Sequence, residues 1–161
     1  RIAYHRPYLE TKGYADVANA VETFFREHPT VFDDVGEPVL CHGDCHPEHH
    51  VRTDGNRVVA IDFEHALVAP AEYDYWRTAM PYFEARADVD ERVKRAFQNG
   101  YESVRSLPDG FDERRPLYRL LNSVAFLESL HLQRTVEAEK RNEMGTWIRG
   151  RVFEILEDLY E

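Results

Sequence analysis

The tetrapeptide Thr53-Asp54-Gly55-Asn56 limits the folds open to this chain more than any other stretch. Gly55 accepts the positive φ that a tight turn needs, and short apolar runs flank it, which is a hairpin signal. The spacing predicts strands at His50–Arg52 and Val58–Ile61, the second rich in β-branched residues. A third short strand, expected to be buried, is predicted at Val39–Cys41, followed by a loop over His42–Glu48 dense in His and carboxylate. Such a hairpin returns Asp62, at the end of one strand, towards the loop that carries Asp44 and His49.

Two carboxylates brought to one place can divide labour: one holds a divalent cation, the other accepts a proton from a substrate hydroxyl. Phosphoryl transfer needs that division, because it depends on positioning and on neutralising charge at the moving group. Mg²⁺ favours one or two protein carboxylates completed by phosphate oxygens and water.

The rest of the chain reads as helix. Residues 1–13 carry Pro7 and three tyrosine or histidine side chains and are expected to be an irregular lead-in. Val17, Ala20/Val21, Phe24/Phe25 and His28 share a helical face that Pro29 ends. After Pro70 four helices are expected. One runs over Tyr73–Phe83 and is broken or kinked by Pro81, and one carries a stripe from Val89 to Val104. A central one is built on Leu117, Leu120/Leu121, Val124, Leu127 and His131, and the last on Ile148, Val152, Ile155/Leu156 and Leu159. The fold class is therefore α+β and mostly helical.

With 161 residues, 43% of them apolar, the chain can bury a sizeable core. Its formal charge of −10 argues against nucleic acid and against anionic membrane as partners. No run of 18 apolar residues is present, and the first residues lack an apolar signal segment, so a cytoplasmic protein is expected. Only three of the 20 basic residues are lysine (Lys12, Lys94, Lys140). Such a composition fits a salt-loving source and an ordinary acidic cytosolic protein alike. Cys41 and Cys45 sit four residues apart across a tight loop, a poor geometry for a disulfide and a better fit to a reducing compartment.

His42-Gly43-Asp44, then His46-Pro47, then a ligand-type residue five positions after the Asp, resembles the H-G-D-x-x-x-x-N motif of aminoglycoside phosphotransferases and choline-kinase-like enzymes. Ile61-Asp62-Phe63-Glu64 is similar to their second motif and to the D-F-G of protein kinases. Pro70-Ala71-Glu72-Tyr73-Asp74 is similar to the segment that opens their next helix. Within this superfamily, macrolide phosphotransferases also resemble the chain in carrying His where others have Asn.

The resemblance implies a kinase-like C-terminal lobe over 1–161: lead-in and helix at 1–37, catalytic hairpin at 38–65, helical subdomain at 66–161. It implies that Asp44 orients the acceptor hydroxyl and that His49 and Asp62 hold Mg²⁺ or Mn²⁺, with His42, His46, Glu64 and Asp74 in support. ATP or GTP would be the donor and a small-molecule hydroxyl, antibiotic-, choline- or sugar-like, the acceptor. Imidazole is softer than an amide oxygen, which bears on the choice of metal. No G-x-G-x-x-G or G-x-x-x-x-G-K-[ST] occurs, so the nucleotide-covering N-terminal lobe of such enzymes is expected to be missing and this piece alone inactive. The pattern sets no oligomeric state.

Other readings stay open. The domain can be a noncatalytic binding relative, or a metal-dependent hydrolase. Cys41, Cys45, His46, His49 and His50 form an alternative donor set of zinc type. The aromatics Tyr73, Tyr75, Trp76, Tyr82 and Phe83 fit a core or an acceptor pocket. His5, His28, His65 and His131 read as structural, and Glu128, Glu137, Glu139 and Glu143 as a solvated helix face.

Overall fold

A computed structural model of the chain describes residues 2–132 and 137–161, and of Asn56 the backbone alone. In chain order the elements are α1 (Ile2–Thr11), α2 (Ala15–Glu27), β1 (Val39–Cys41), β2 (His50–Arg52), β3 (Val58–Ala60), β4 (Leu67–Ala69), α3 (Glu72–Ala79), α4 (Glu91–Glu102), α5 (Arg115–Leu132) and α6 (Ala138–Tyr160). The α+β, mostly helical class is what the structure has. The chain divides into two compact units, one formed by 1–32 with 114–161 and the other by 33–113.

The first unit is all helical. α5 packs against α6, α1 and α2, and its Leu117, Leu120, Val124, Leu127 and Leu130 are buried with Val17, Val21 and Phe24 of α2. Ile148, Val152, Ile155 and Leu156 of α6 close the same core. The central place expected for the next-to-last stripe, that of Leu117 to His131, is therefore that of α5. The expected irregular lead-in is a helix instead, Arg1 lying outside the described residues. Its buried face is Ile2, His5 and Leu9, one helical stripe in which a histidine takes an apolar position. Glu128 pairs with His5 there, so the imidazole has a partner, and Pro7 removes only one ladder bond from the helix.

The second unit is built on two antiparallel pairs. β2 and β3 pair with His50 opposite Ala60, Val51 opposite Val59 and Arg52 opposite Val58, around a turn in which Gly55 has φ +78°. β1 pairs with β4, Val39 opposite Ala69 and Cys41 opposite Leu67. β4 was not anticipated; its partner β1 lies far earlier in the chain, a pairing the local sequence does not show. β1 is not the buried strand expected: Cys41 points inward, while Leu40 and its cross-strand partner Val68 are both 72% exposed.

α3 ends where expected. Pro81 cannot donate to an α-helical ladder, and Met80–Glu84 continue as a π-helical turn closed by the Ala85 amide on the Met80 carbonyl. α4 starts at Asp90, whose carboxylate caps the Arg92 amide at 2.8 Å. Its stripe is not buried as a whole: Val93 is half exposed and Val104 lies beyond the helix end in solvent. Phe97 and Tyr101 pack against the rings of Tyr75 and Phe83. Tyr73, Tyr75 and Trp76 are core residues of this unit, with Trp76 stacked on Phe111 at 4.6 Å. No helix among the described residues is long and apolar enough to cross a membrane.

Candidate functional site

The residues of interest all lie in the second unit, on the loop after β1, the turn after β3, and α3 with the π turn that follows it. The loop begins at Gly43, where φ is +81° and a Cβ would stand 2.0 Å from the His65 carbonyl oxygen. Only glycine fits there, and the close approach ties the loop to the segment that carries Asp62.

The loop's backbone is held from α3. The Asp74 carboxylate accepts the His42 amide at 2.6 Å and the Gly43 amide at 2.9 Å. The Thr78 hydroxyl donates to the Cys45 carbonyl. His42 is buried; its Nε2–H donates to the Ile61 carbonyl at 2.7 Å, which joins the loop to the end of the hairpin. With that nitrogen protonated, Nδ1 is the lone pair that accepts the Asp44 amide at 3.4 Å.

Asp44 is four-fifths buried. Arg77 Nη2 donates to its Oδ1 at 3.0 Å. His46 Nε2 stands 3.1 Å from the same oxygen, off the N–H direction, so the approach is electrostatic rather than an aligned hydrogen bond. Tyr82 donates its hydroxyl to His46 Nδ1 at 2.9 Å, which leaves the ring proton on the side facing Asp44. Burial opposes ionisation of Asp44, but the His46 contact and the Arg77 charge outweigh it and hold the carboxyl well below the usual carboxylate range. Burial pushes the Tyr82 phenol up, so it keeps the proton it donates.

His49 joins the two aspartates. Its Nδ1–H donates to the Asp44 carbonyl at 2.8 Å, and its ring stacks nearly parallel on those of His42 and His46, each 5.6 Å away. The other ring nitrogen, Nε2, stands 3.5 Å from Asp62 Oδ2. Asp62 is the single non-glycine residue with positive φ among those described (φ 66°, ψ 54°), and its side chain is 49% exposed. A left-handed conformation costs a non-glycine residue about 1–2 kcal/mol, less for Asp, and such outliers concentrate at working sites.

These two groups fit a divalent ion. A carboxylate oxygen and an imidazole nitrogen that face each other are bridged by a proton on the ring or by a cation between them. Cis ligands of an octahedral ion at about 2.1 Å stand about 3 Å apart, close to the spacing found. Among the described residues no group of three or more His, Cys, Asp or Glu side chains is arranged to hold a metal by itself. Within the zinc-type set, Cys41 turns its thiol to the Ala69 and Pro70 carbonyls, while Cys45 Sγ approaches His50 Nε2 at 4.0 Å.

Among the site residues anticipated from sequence, Asp44, His46, His49, Asp62, His42 and Asp74 are linked by the contacts above. Glu64 is exposed and approaches His65 at 3.5 Å, with no direct contact to Asp44, His49 or Asp62 among the described residues. Arg77, Thr78 and the Tyr82 hydroxyl were missed as parts of the site. Their signal was spacing: 77 and 78 follow Asp74 by three and four positions, which puts them on one helix face. His28 and His131 are spent locally, on the Phe24 carbonyl (2.9 Å) and the Tyr14 hydroxyl (3.1 Å).

Asp44, in a braced loop, thus stands beside a carboxylate and an imidazole that face each other. Residues 1–107 match the family model described as the phosphotransferase enzyme family. The chain belongs to that family. Comparison with curated proteins and with solved structures returned no match.

Proposed function

We propose that the second unit carries the transfer site of an enzyme that moves the γ-phosphoryl group of ATP or GTP to a hydroxyl of a small molecule. The observation that carries this reading is His49, which binds the Asp44 carbonyl through one ring nitrogen and faces Asp62 with the other. Asp44 orients the acceptor hydroxyl by accepting its hydrogen bond. Its carboxyl is held ionised, so it is a strong orienting acceptor and a weak base, and it takes the proton late in the transfer. Asp62 and His49 Nε2 would hold Mg²⁺ or Mn²⁺, which when bound neutralises charge on the donor's phosphate oxygens. Asp74 and His42 fix the loop, and Tyr82 sets the tautomer of His46. The acceptor class proposed is a polyhydroxylated or amino-alcohol metabolite or antibiotic. Nucleic acid and membrane are not proposed as partners, because the chain is acidic.

The test uses the full-length protein with ATP or GTP, Mg²⁺ or Mn²⁺, and a panel of aminoglycosides, macrolides, choline and hexoses, read by mass of the phosphorylated product. Transfer to a panel member is expected, with Asp44→Ala lowering it by about 10²–10⁴-fold. Metal-dependent turnover of a panel member without nucleotide, or unchanged transfer by Asp44→Ala, overturns the reading.

A further inference from the structure

The hydrogen bonds from α3 and the π turn after it to the loop after β1 run in step. Positions 42 and 43 are held by Asp74, 44 by Arg77, 45 by Thr78 and 46 by Tyr82. Four of these contacts fix backbone or a ring. Arg77 alone acts on the carboxylate that the proposed chemistry uses. A carboxylate rotates about a broad, two-fold torsion, so nothing in its own geometry decides which oxygen faces outward. In this structure the choice is made: Oδ1 takes the Arg77 guanidinium at 3.0 Å and the His46 ring at 3.1 Å, and Oδ2 is left on the side of His49, 4.0 Å from its Nδ1.

We propose that Arg77 is a positioning residue for the transfer: by occupying Oδ1 of Asp44 it presents Oδ2 to the acceptor hydroxyl. The inference rests on the phosphotransferase reading above. Arg77 is itself 9% exposed and stands one helical turn after Asp74, so one rigid element sets both the loop backbone and the carboxylate rotation. To exchange the two oxygens, Asp44 must break a charge-assisted bond in a mostly buried place. Guanidinium suits this role better than ammonium. It is planar, always charged, and loses less freedom per bond made.

A positioning residue that acts through Asp44 has no effect once Asp44 can no longer be positioned, and this gives the test. In the full-length protein with ATP, Mg²⁺ and the panel compound that is phosphorylated, Arg77→Met is expected to lower kcat by about 10²-fold, the scale of a misplaced reacting group. KM for ATP is expected to stay within about twofold, because the nucleotide's ion would be held by Asp62 and His49, and Arg77→Lys is expected to recover part of the loss. On an Asp44→Asn background the same Arg77→Met change is expected to alter kcat by less than about twofold. A purely structural arginine lowers both backgrounds by the same factor, and that result overturns the proposal; so does a kcat for Arg77→Met within about threefold of wild type. If Arg77→Met does not fold, Arg77→Lys runs the same cycle. An inactive wild type overturns the phosphotransferase reading and this inference together; multiplying losses in an active wild type overturn this inference alone.

Discussion

Gly43→Ala tests the close approach on which the site's geometry depends. The added Cβ would stand 2.0 Å from the His65 carbonyl oxygen, 2.7 Å from its carbon and 2.9 Å from Leu67 Cδ2. An ordinary contact needs about 3.5 Å, so the His65 backbone must retreat by roughly 1.5 Å. Overpacking of this kind costs about 1–3 kcal/mol, and the left-handed φ of +81° adds about 1–2 kcal/mol for a residue with a Cβ. The sum, roughly 2–5 kcal/mol, is a large share of the roughly 5–15 kcal/mol that holds a domain together. Gly55→Ala is the control. Its φ is +78° with nothing within 4 Å of the new Cβ, so it bears the conformational cost alone. The assay is urea unfolding followed by Trp76 fluorescence, in a Trp147→Phe background so that the exposed Trp147 does not contribute. Gly43→Ala is expected to be less stable than Gly55→Ala by about 1–3 kcal/mol. Equal midpoints for the two variants, at equal m-values, refute the close packing of the loop on the His65 segment.

Two further predictions follow from the same unit. Asp62→Gly relieves the left-handed strain and Asp62→Ala does not, so urea unfolding should find the glycine variant more stable than the alanine variant by about 1 kcal/mol, while Mn²⁺ binding followed by electron paramagnetic resonance falls in both; equal stabilities contradict the strain, and full Mn²⁺ binding contradicts the ligand role. Burial, and next the charge of Asp74, push the Cys41 thiol up to about 11. A thiol whose folded pKa is raised favours the fold below its unfolded pKa of about 8.5 and loses that contribution as pH climbs through 11, so a Cys41→Ala variant should show a flatter stability curve than wild type over that window; parallel curves contradict it.

The hairpin and the motif residues were legible because local chemistry dictates them. Gly55 reports a turn with no reference to the rest of the chain, and acids placed at strand ends travel with the strands. What the sequence hid was whatever depends on a neighbour far along the chain. Ile2, His5 and Leu9 form a helical stripe, but His5 counts as apolar only once Glu128, 123 positions away, supplies its partner. α4 shows the converse. Its periodicity names a face, and periodicity cannot say whether anything covers that face; here Phe97 and Tyr101 find rings to meet while Val93 stays half exposed. Arg77 was missed for the same reason. An arginine on an amphipathic helix belongs to solvent by default, and the loop 33 positions earlier supplies the carboxylate that pairs with it. The Asp74 spacing nevertheless held the information. Once one residue of a helix is assigned to a loop, those three and four positions on must meet the next loop residues, because the helix turns at a fixed rate while the loop advances beside it. A motif that ends in a helix-opening acid therefore predicts its own supports one turn later, and in this chain they are an arginine on the carboxylate and a threonine on the next carbonyl.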